Sequence, residues 1–115
     1  MARHTGSCHC GAIVFEFEGE VEAAMECNCS LCAKRGGLLA FYPAASFTLS
    51  TPREKLGTYH FNKGRIDHHF CPNCGVAPFS EGENKGAKMI AINLRCVEGV
   101  DPHSLSIKSV NGRDF

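Results

Sequence analysis

The residues of this chain best equipped for chemistry are its cysteines. Eight of them fall into three groups and a singleton: Cys8-His9-Cys10, Cys27-Asn28-Cys29-Ser30-Leu31-Cys32, Cys71-Pro72-Asn73-Cys74, and Cys96. Read as disulfides they would allow about 105 connectivities with nothing to choose among them. Read as thiolate ligands they make spatial sense. Tetrahedral zinc, with sulfur about 2.3 Å away, needs its sulfurs roughly 3.8 Å apart, and a C-x-x-C turn achieves that because the chain reverses between the two residues. Cys71-Pro-Asn-Cys74-Gly75 is such a turn. Pro72 sets φ at the first linking position, Gly75 can go left-handed, and backbone N–H groups can donate to the thiolates.

Cys8-x-Cys10 is expected at the start of a strand, where residues i and i+2 share a face, so both sulfurs reach one metal while His9 points away. Joined to Cys71 and Cys74 it makes a closed, structural four-cysteine zinc site. The loop so closed is about 60 residues long, and its closure entropy is about 3.6 kcal/mol plus a constant, so metal binding is expected to be coupled to folding. Cys27, Cys29 and Cys32 can converge on one ion without help, and three is one short of closure. A three-ligand zinc keeps a fourth position for water or substrate, which marks these cysteines as a candidate catalytic centre. The competing reading closes this site with Cys96 or a histidine, and spacing leaves other partitions of the eight sulfurs open. Cys96 itself reads as a buried core thiol on the strand face of Ile90, Ile92 and Leu94.

Other polar residues are weaker signals. His68 and His69 precede Phe70-Cys71 in a strand, whose alternation sends one inward and one outward, either as ordinary strand residues or as donors or acid/base groups near a metal. Lys34 and Arg35 directly follow Cys32. Seven ligating thiolates and two Zn²⁺ would leave the otherwise neutral chain at about −3, and this cationic pair can offset that charge or receive a substrate carboxylate. The bland alternative is a solvated loop tip.

The scaffold for these groups is small. In 115 residues there are 12 Lys+Arg against 12 Asp+Glu, with no linker, repeat or low-complexity tract, so one domain over residues 1–115 is expected. The balanced charge argues against nucleic-acid and anionic-membrane partners. No stretch has the length of a secretory signal or a membrane span, so a reducing, cytoplasmic location is expected. Ala12 to Glu18 alternates Ile13, Phe15 and Phe17 with Val14, Glu16 and Glu18, the period of a half-buried strand. Gly37 to Tyr42, Ser46 to Ser50, Leu56 to Phe61, Arg65 to Cys71, Lys88 to Val97 and Leu105 to Val110 read as further strands. Asn62-Lys63-Gly64 reads as a hairpin turn between two of them. With at most a helical turn near Cys29 to Arg35, the class is all-β.

Four motifs in order carry a resemblance: Gly6-Ser-Cys-His-Cys-Gly-Ala-Ile, Cys27-x-Cys29-Ser-x-Cys32, Phe70-Cys-Pro-Asn-Cys-Gly75, and Ile92-Asn-Leu-Arg-Cys-Val-Glu-Gly-Val-Asp101. Over nearly its whole length the chain resembles the glutathione-dependent formaldehyde-activating enzyme family. The resemblance implies a β-tent fold of twisted antiparallel sheets, two zinc ions, and a place among the carbon–sulfur lyases. It implies Cys8, Cys10, Cys71 and Cys74 as ligands of the structural zinc and Cys27, Cys29 and Cys32 as ligands of the catalytic one. The implied partner is a small thiol such as glutathione, joined to formaldehyde as S-hydroxymethylglutathione. Asn28 and Ala33 stand where the family commonly has His and either Arg or Gln, so glutathione specificity does not follow from the resemblance alone. Two alternatives are a non-catalytic zinc-stabilised binding module, as the domain's presence in centromere protein V suggests, and a glutathione carrier or thiol redox sensor.

Overall fold

Alternation before Glu18 has the expected consequence: Ile13, Phe15 and Phe17 are buried, while Val14 and Glu18 stay exposed. The computed structural model describes residues 2–60 and 66–110. In it β2 (Val14–Glu18) is the middle strand of a three-stranded antiparallel sheet, between β1 (Arg3–Ser7) and β5 (Phe47–Leu49). The other strands are β3 (Ala23–Cys27), β4 (Leu39–Pro43), β6 (Gly57–Tyr59), β7 (Asp67–Phe70), β8 (Phe79–Asn84), β9 (Ala87–Asn93) and β10 (Ser106–Val110). They form a seven-stranded sheet in the order β10-β3-β4-β9-β8-β7-β6. Every pairing is antiparallel except that of β10 with β3, which is parallel.

Register assigns the two faces of the large sheet. Ala40 pairs with Ile92 and Ile92 with Phe79, while Tyr42 pairs with Ile90; directly paired residues share a face. This inner face meets the small sheet through aromatic rings. Phe15 lies 5.7 Å from Phe47 and 6.1 Å from Phe79, and Phe17 lies 4.7 Å from Tyr42, centroid to centroid. Each buried ring of this kind contributes about 1.5 to 3 kcal/mol. On the outer face a row runs Phe41, Ala91, Ser80, His68, Tyr59 across five adjacent strands.

The structure revises several expectations. Cys8 and Cys10 are not in a strand; they lie in the loop between β1 and β2, where Gly11 N–H donates to the Cys8 carbonyl (3.3 Å) and Cys8 N–H to the Ile13 carbonyl (3.1 Å). The strand expected from Lys88 to Val97 ends at Asn93, whose side chain accepts from Arg95 N–H (3.1 Å) and starts a 3-10 turn over Leu94–Cys96. Leu94 stays buried, but Cys96 leaves the face of Ile90 and Ile92. Strands β1, β3 and β8 have no counterpart in the sequence reading. The expected hairpin is present as the paired strands β6 and β7, and its turn, Asn62-Lys63-Gly64, lies outside the described residues. The same tripeptide recurs at 84–86, where Lys85 (φ 53°) and Gly86 (φ 83°) turn β8 into β9. Two successive positive φ values match the twist of the flanking strands. The helical turn expected near Cys29 to Arg35 is α1 (Ser30–Arg35), stopped by Gly36 in the left-handed conformation.

Candidate metal centres

The turn between β1 and β2 and the turn after β7 meet. Cys8 and Cys10 come from the first, Cys71 and Cys74 from the second, and all four sulfurs lie within 4.8 Å of one another. Cys8 and Cys10 are 3.7 Å apart and Cys10 and Cys71 3.6 Å, close to the edge of a tetrahedral thiolate site. The backbone supports negative charge there: Ile13 N–H donates to Cys8 Sγ (3.3 Å) and Cys74 N–H to Cys71 Sγ (3.4 Å). The amides of Val76 and Cys10 bring the Cys74 thiol down to about 6. Gly75 takes the left-handed conformation (φ 83°) and donates to the Cys71 carbonyl (2.8 Å), which closes the turn. Four converging sulfurs with amide donors suit zinc.

Cys27 ends β3, Cys29 caps α1, and Cys32 sits inside α1, so a strand-to-helix junction supplies the second group. Its three sulfurs also lie within 4.8 Å of one another. Cys29 N–H points at Cys27 Sγ (3.5 Å) and Cys32 N–H at Cys29 Sγ (3.3 Å). Burial first, and then the neighbouring Cys29 and Cys27, push the Cys32 thiol up to about 12. This donor set also suits a soft metal ion. Among the described residues no further Cys, His, Asp or Glu completes the group. Cys96 is elsewhere: burial, and then Cys8 and Cys74, push its thiol up to about 11. It therefore stands beside the four-sulfur cluster rather than closing the three-sulfur one.

Between the two clusters, on the outer face of the large sheet, lies a cleft of about 370 Å³. Cys32 and Arg35 of α1 form one wall, Gly75, Val76 and Ala77 after the four-sulfur turn another, and Leu39, Ala91, Asn93, Ser80 and His68 belong to the sheet. Arg35 thus faces the cleft, whereas Lys34 is not among its lining residues. The two histidines part as alternation requires. His68 lines the cleft, and burial, then Arg35, hold its imidazole below the usual histidine range. His69 is buried, bonded to Glu81 (2.8 Å) and Thr58 (3.0 Å).

Sequence reasoning assigned no role to Asn93. Its Oδ1 accepts from Leu38 N–H (3.4 Å) and Arg95 N–H (3.1 Å), and its Nδ2 donates to the Ala77 carbonyl (3.2 Å). One side chain therefore links the residue that leads into β4, the 3-10 turn and the segment after Cys74. Its position in the Ile-Asn-Leu-Arg-Cys motif was the available signal.

Residues 3–108 match the family model described as glutathione-dependent formaldehyde-activating enzyme. The chain belongs to that family. It is also similar to a crystal structure of a Rhodobacter sphaeroides protein, a Northeast Structural Genomics target, at 28% identity and a TM-score of 0.79, over 90% of this chain and 99% of that one. Membership in the glutathione-dependent formaldehyde-activating enzyme family supports a glutathione-dependent formaldehyde-activating role. No helix among the described residues is long and apolar enough to cross a membrane.

Proposed function

We propose that this chain is a single-domain, cytoplasmic, zinc-dependent enzyme of the carbon–sulfur lyase type. It joins a small thiol such as glutathione to formaldehyde and, in reverse, cleaves the adduct. One observation carries the reading: the three-sulfur group opens, through Cys32, onto a cleft that also presents a cation and an imidazole. In this reading Cys8, Cys10, Cys71 and Cys74 hold a structural zinc, and Cys27, Cys29 and Cys32 hold the catalytic one. Zinc bound by three thiolates supplies an open position that lowers the pKa of an entering thiol and favours sulfur over water.

The residues of the chain do the rest. Arg35 gives a fixed positive charge for a carboxylate of the thiol, which orients its sulfur toward Cys32. Leu39, Val76, Ala77 and Ala91 exclude water from the carbonyl carbon, whose competing reaction is hydration. Atoms balance without a co-reactant: the sulfur lone pair forms the C–S bond, the carbonyl π pair moves to oxygen, and the thiol proton ends on that oxygen.

The test is isotopic exchange between labelled formaldehyde and its glutathione adduct, followed by NMR with zinc-loaded protein, beside native mass spectra for the zinc count. The expected result is exchange faster than in buffer and two zinc ions per chain. Bound glutathione without faster exchange would instead make the chain a carrier or binding module and overturn the enzymatic reading.

A further inference from the structure

Resting on that reaction, we propose that His68 is the proton-transfer residue of the cleft. It takes the thiol proton as the C–S bond forms and delivers it to the oxygen of the former carbonyl.

Elimination within the cleft carries the argument. The lining residues with exchangeable protons are Cys32, Arg35, His68, Ser80 and Asn93. Cys32 belongs to the sulfur group, and a guanidinium such as that of Arg35 offers donors and no acceptor. Asn93 carries a carboxamide, which donates and accepts hydrogen bonds but does not take up or release a proton near neutral pH. Ser80 carries a hydroxyl too weakly acidic and too weakly basic to hold a proton between two steps. His68 remains, and an imidazole is the side chain that exchanges a proton near neutral pH. Its neighbour His69 is unsuited, because it is buried against Glu81 and Thr58.

Placement agrees with the task. The register His68 to Ser80 and Ser80 to Ala91 sets the imidazole on the outer face, across the cleft from α1. The charged and titratable groups acting on it are Arg35 from α1, His60 and Asp67 near the ends of β6 and β7, and His69. Burial, Arg35 and the two histidines favour the neutral ring and Asp67 opposes them, so the ring begins as a proton acceptor. In the forward direction the proton moves from sulfur to His68 and from His68 to oxygen. In reverse His68 takes the hydroxyl proton and returns it to sulfur as the C–S bond breaks.

The experiment compares zinc-loaded wild-type protein, His68→Gln and His68→Ala in the exchange assay. The expected result for His68→Gln is a kcat about a hundredfold lower, within the range of lost general acid–base catalysis, with KM within about threefold of wild type. The zinc count stays at two, and added imidazole restores rate to His68→Ala. An unchanged kcat, a loss confined to KM, loss of a zinc ion, or failure of imidazole to rescue each overturns the role of His68 while the enzymatic reading stands. A wild-type protein that does not accelerate exchange overturns both.

Discussion

Cys10 and Cys71 hold their sulfurs 3.6 Å apart although 61 positions separate them in the chain. The contact joins the loop after the first strand of the small sheet to the turn after β7 of the large one, so in the proposed reading a zinc held by these four sulfurs would clamp the two sheets together. The other cluster draws all three sulfurs from one short segment and clamps nothing distant. Opposite consequences follow for the two.

Cys74→Ser is expected to yield an insoluble or unfolded chain, because binding free energy on the order of 10 kcal/mol for a structural zinc is also folding free energy. Cys32→Ser is expected to remain folded, lose one zinc and show exchange no faster than buffer. Circular dichroism and native mass spectrometry of the two variants side by side check this contrast. A folded, zinc-free Cys74→Ser protein would contradict the clamp.

Arg35→Ala is expected to raise KM for glutathione about tenfold and leave kcat within about threefold, since a charge-assisted hydrogen bond to substrate contributes about 1.5 to 3 kcal/mol. With a thiol lacking a carboxylate, such as cysteamine, the same substitution should change nothing. Steady-state exchange rates with both thiols separate a carboxylate anchor from a general disturbance of α1.

Glu81 is 3% exposed and accepts from Arg53 (2.7 Å), His69 (2.8 Å) and Lys88 (3.0 Å). Burial alone would raise its carboxyl, but Arg53, Lys88 and His69 hold it down to about 2, against an ordinary value of 4.5. A depressed carboxylate stabilises the fold above its unfolded pKa, and that stability is lost as pH falls through the folded value. Glu81→Gln should therefore cost about 2 to 3 kcal/mol, equally at about pH 8 and about pH 5, with the deficit shrinking below about pH 4. Denaturant midpoints of the two proteins across that range decide it; a deficit that grows on acidification would contradict the assignment.

Gly6 leaves no room for a side chain. A Cβ there would collide with the Phe15 ring and meet the Cys96 carbonyl oxygen at 2.7 Å. The ring belongs to the packed core and the oxygen to the backbone, so neither yields cheaply. Gly6→Ala is expected to destabilise by about 1 to 3 kcal/mol, read as a lower melting temperature, with the zinc count unchanged.

Legibility in the sequence tracked how local each feature is. β2 was readable because Ile13, Phe15 and Phe17 bury one face against a solvated other. α1 was read only as at most a helical turn near Cys29 to Arg35, the one stretch set apart from the strand patterns. β8 was not readable, because Phe-Ser-Glu-Gly-Glu-Asn buries a carboxylate and contains a glycine, and only the side-chain nitrogens of Arg53, Lys88 and His69 around it make that burial tolerable. Cys96 packs against the core as expected but not from a strand, because the Asn93 side chain stops the strand one residue before Leu94, a contact that apolar alternation does not reveal. His68 and His69 were known to face opposite ways, but which faced the cleft depended on the register of β7 with β8.

By itself the sequence determined the all-β class and the short-range geometry of the C-x-x-C turn, because these rest on neighbours in the chain, and membership in a family, because four motifs stand in order along it. Tertiary structure alone decided that Cys10 meets Cys71, that Cys96 lies beside the four-sulfur cluster, and that Cys32, Arg35 and His68 share one cleft. Those relationships depend on strand order and register across two sheets, set by the packing of Phe15, Phe17, Phe47 and Phe79 at a distance along the chain that no local pattern spans.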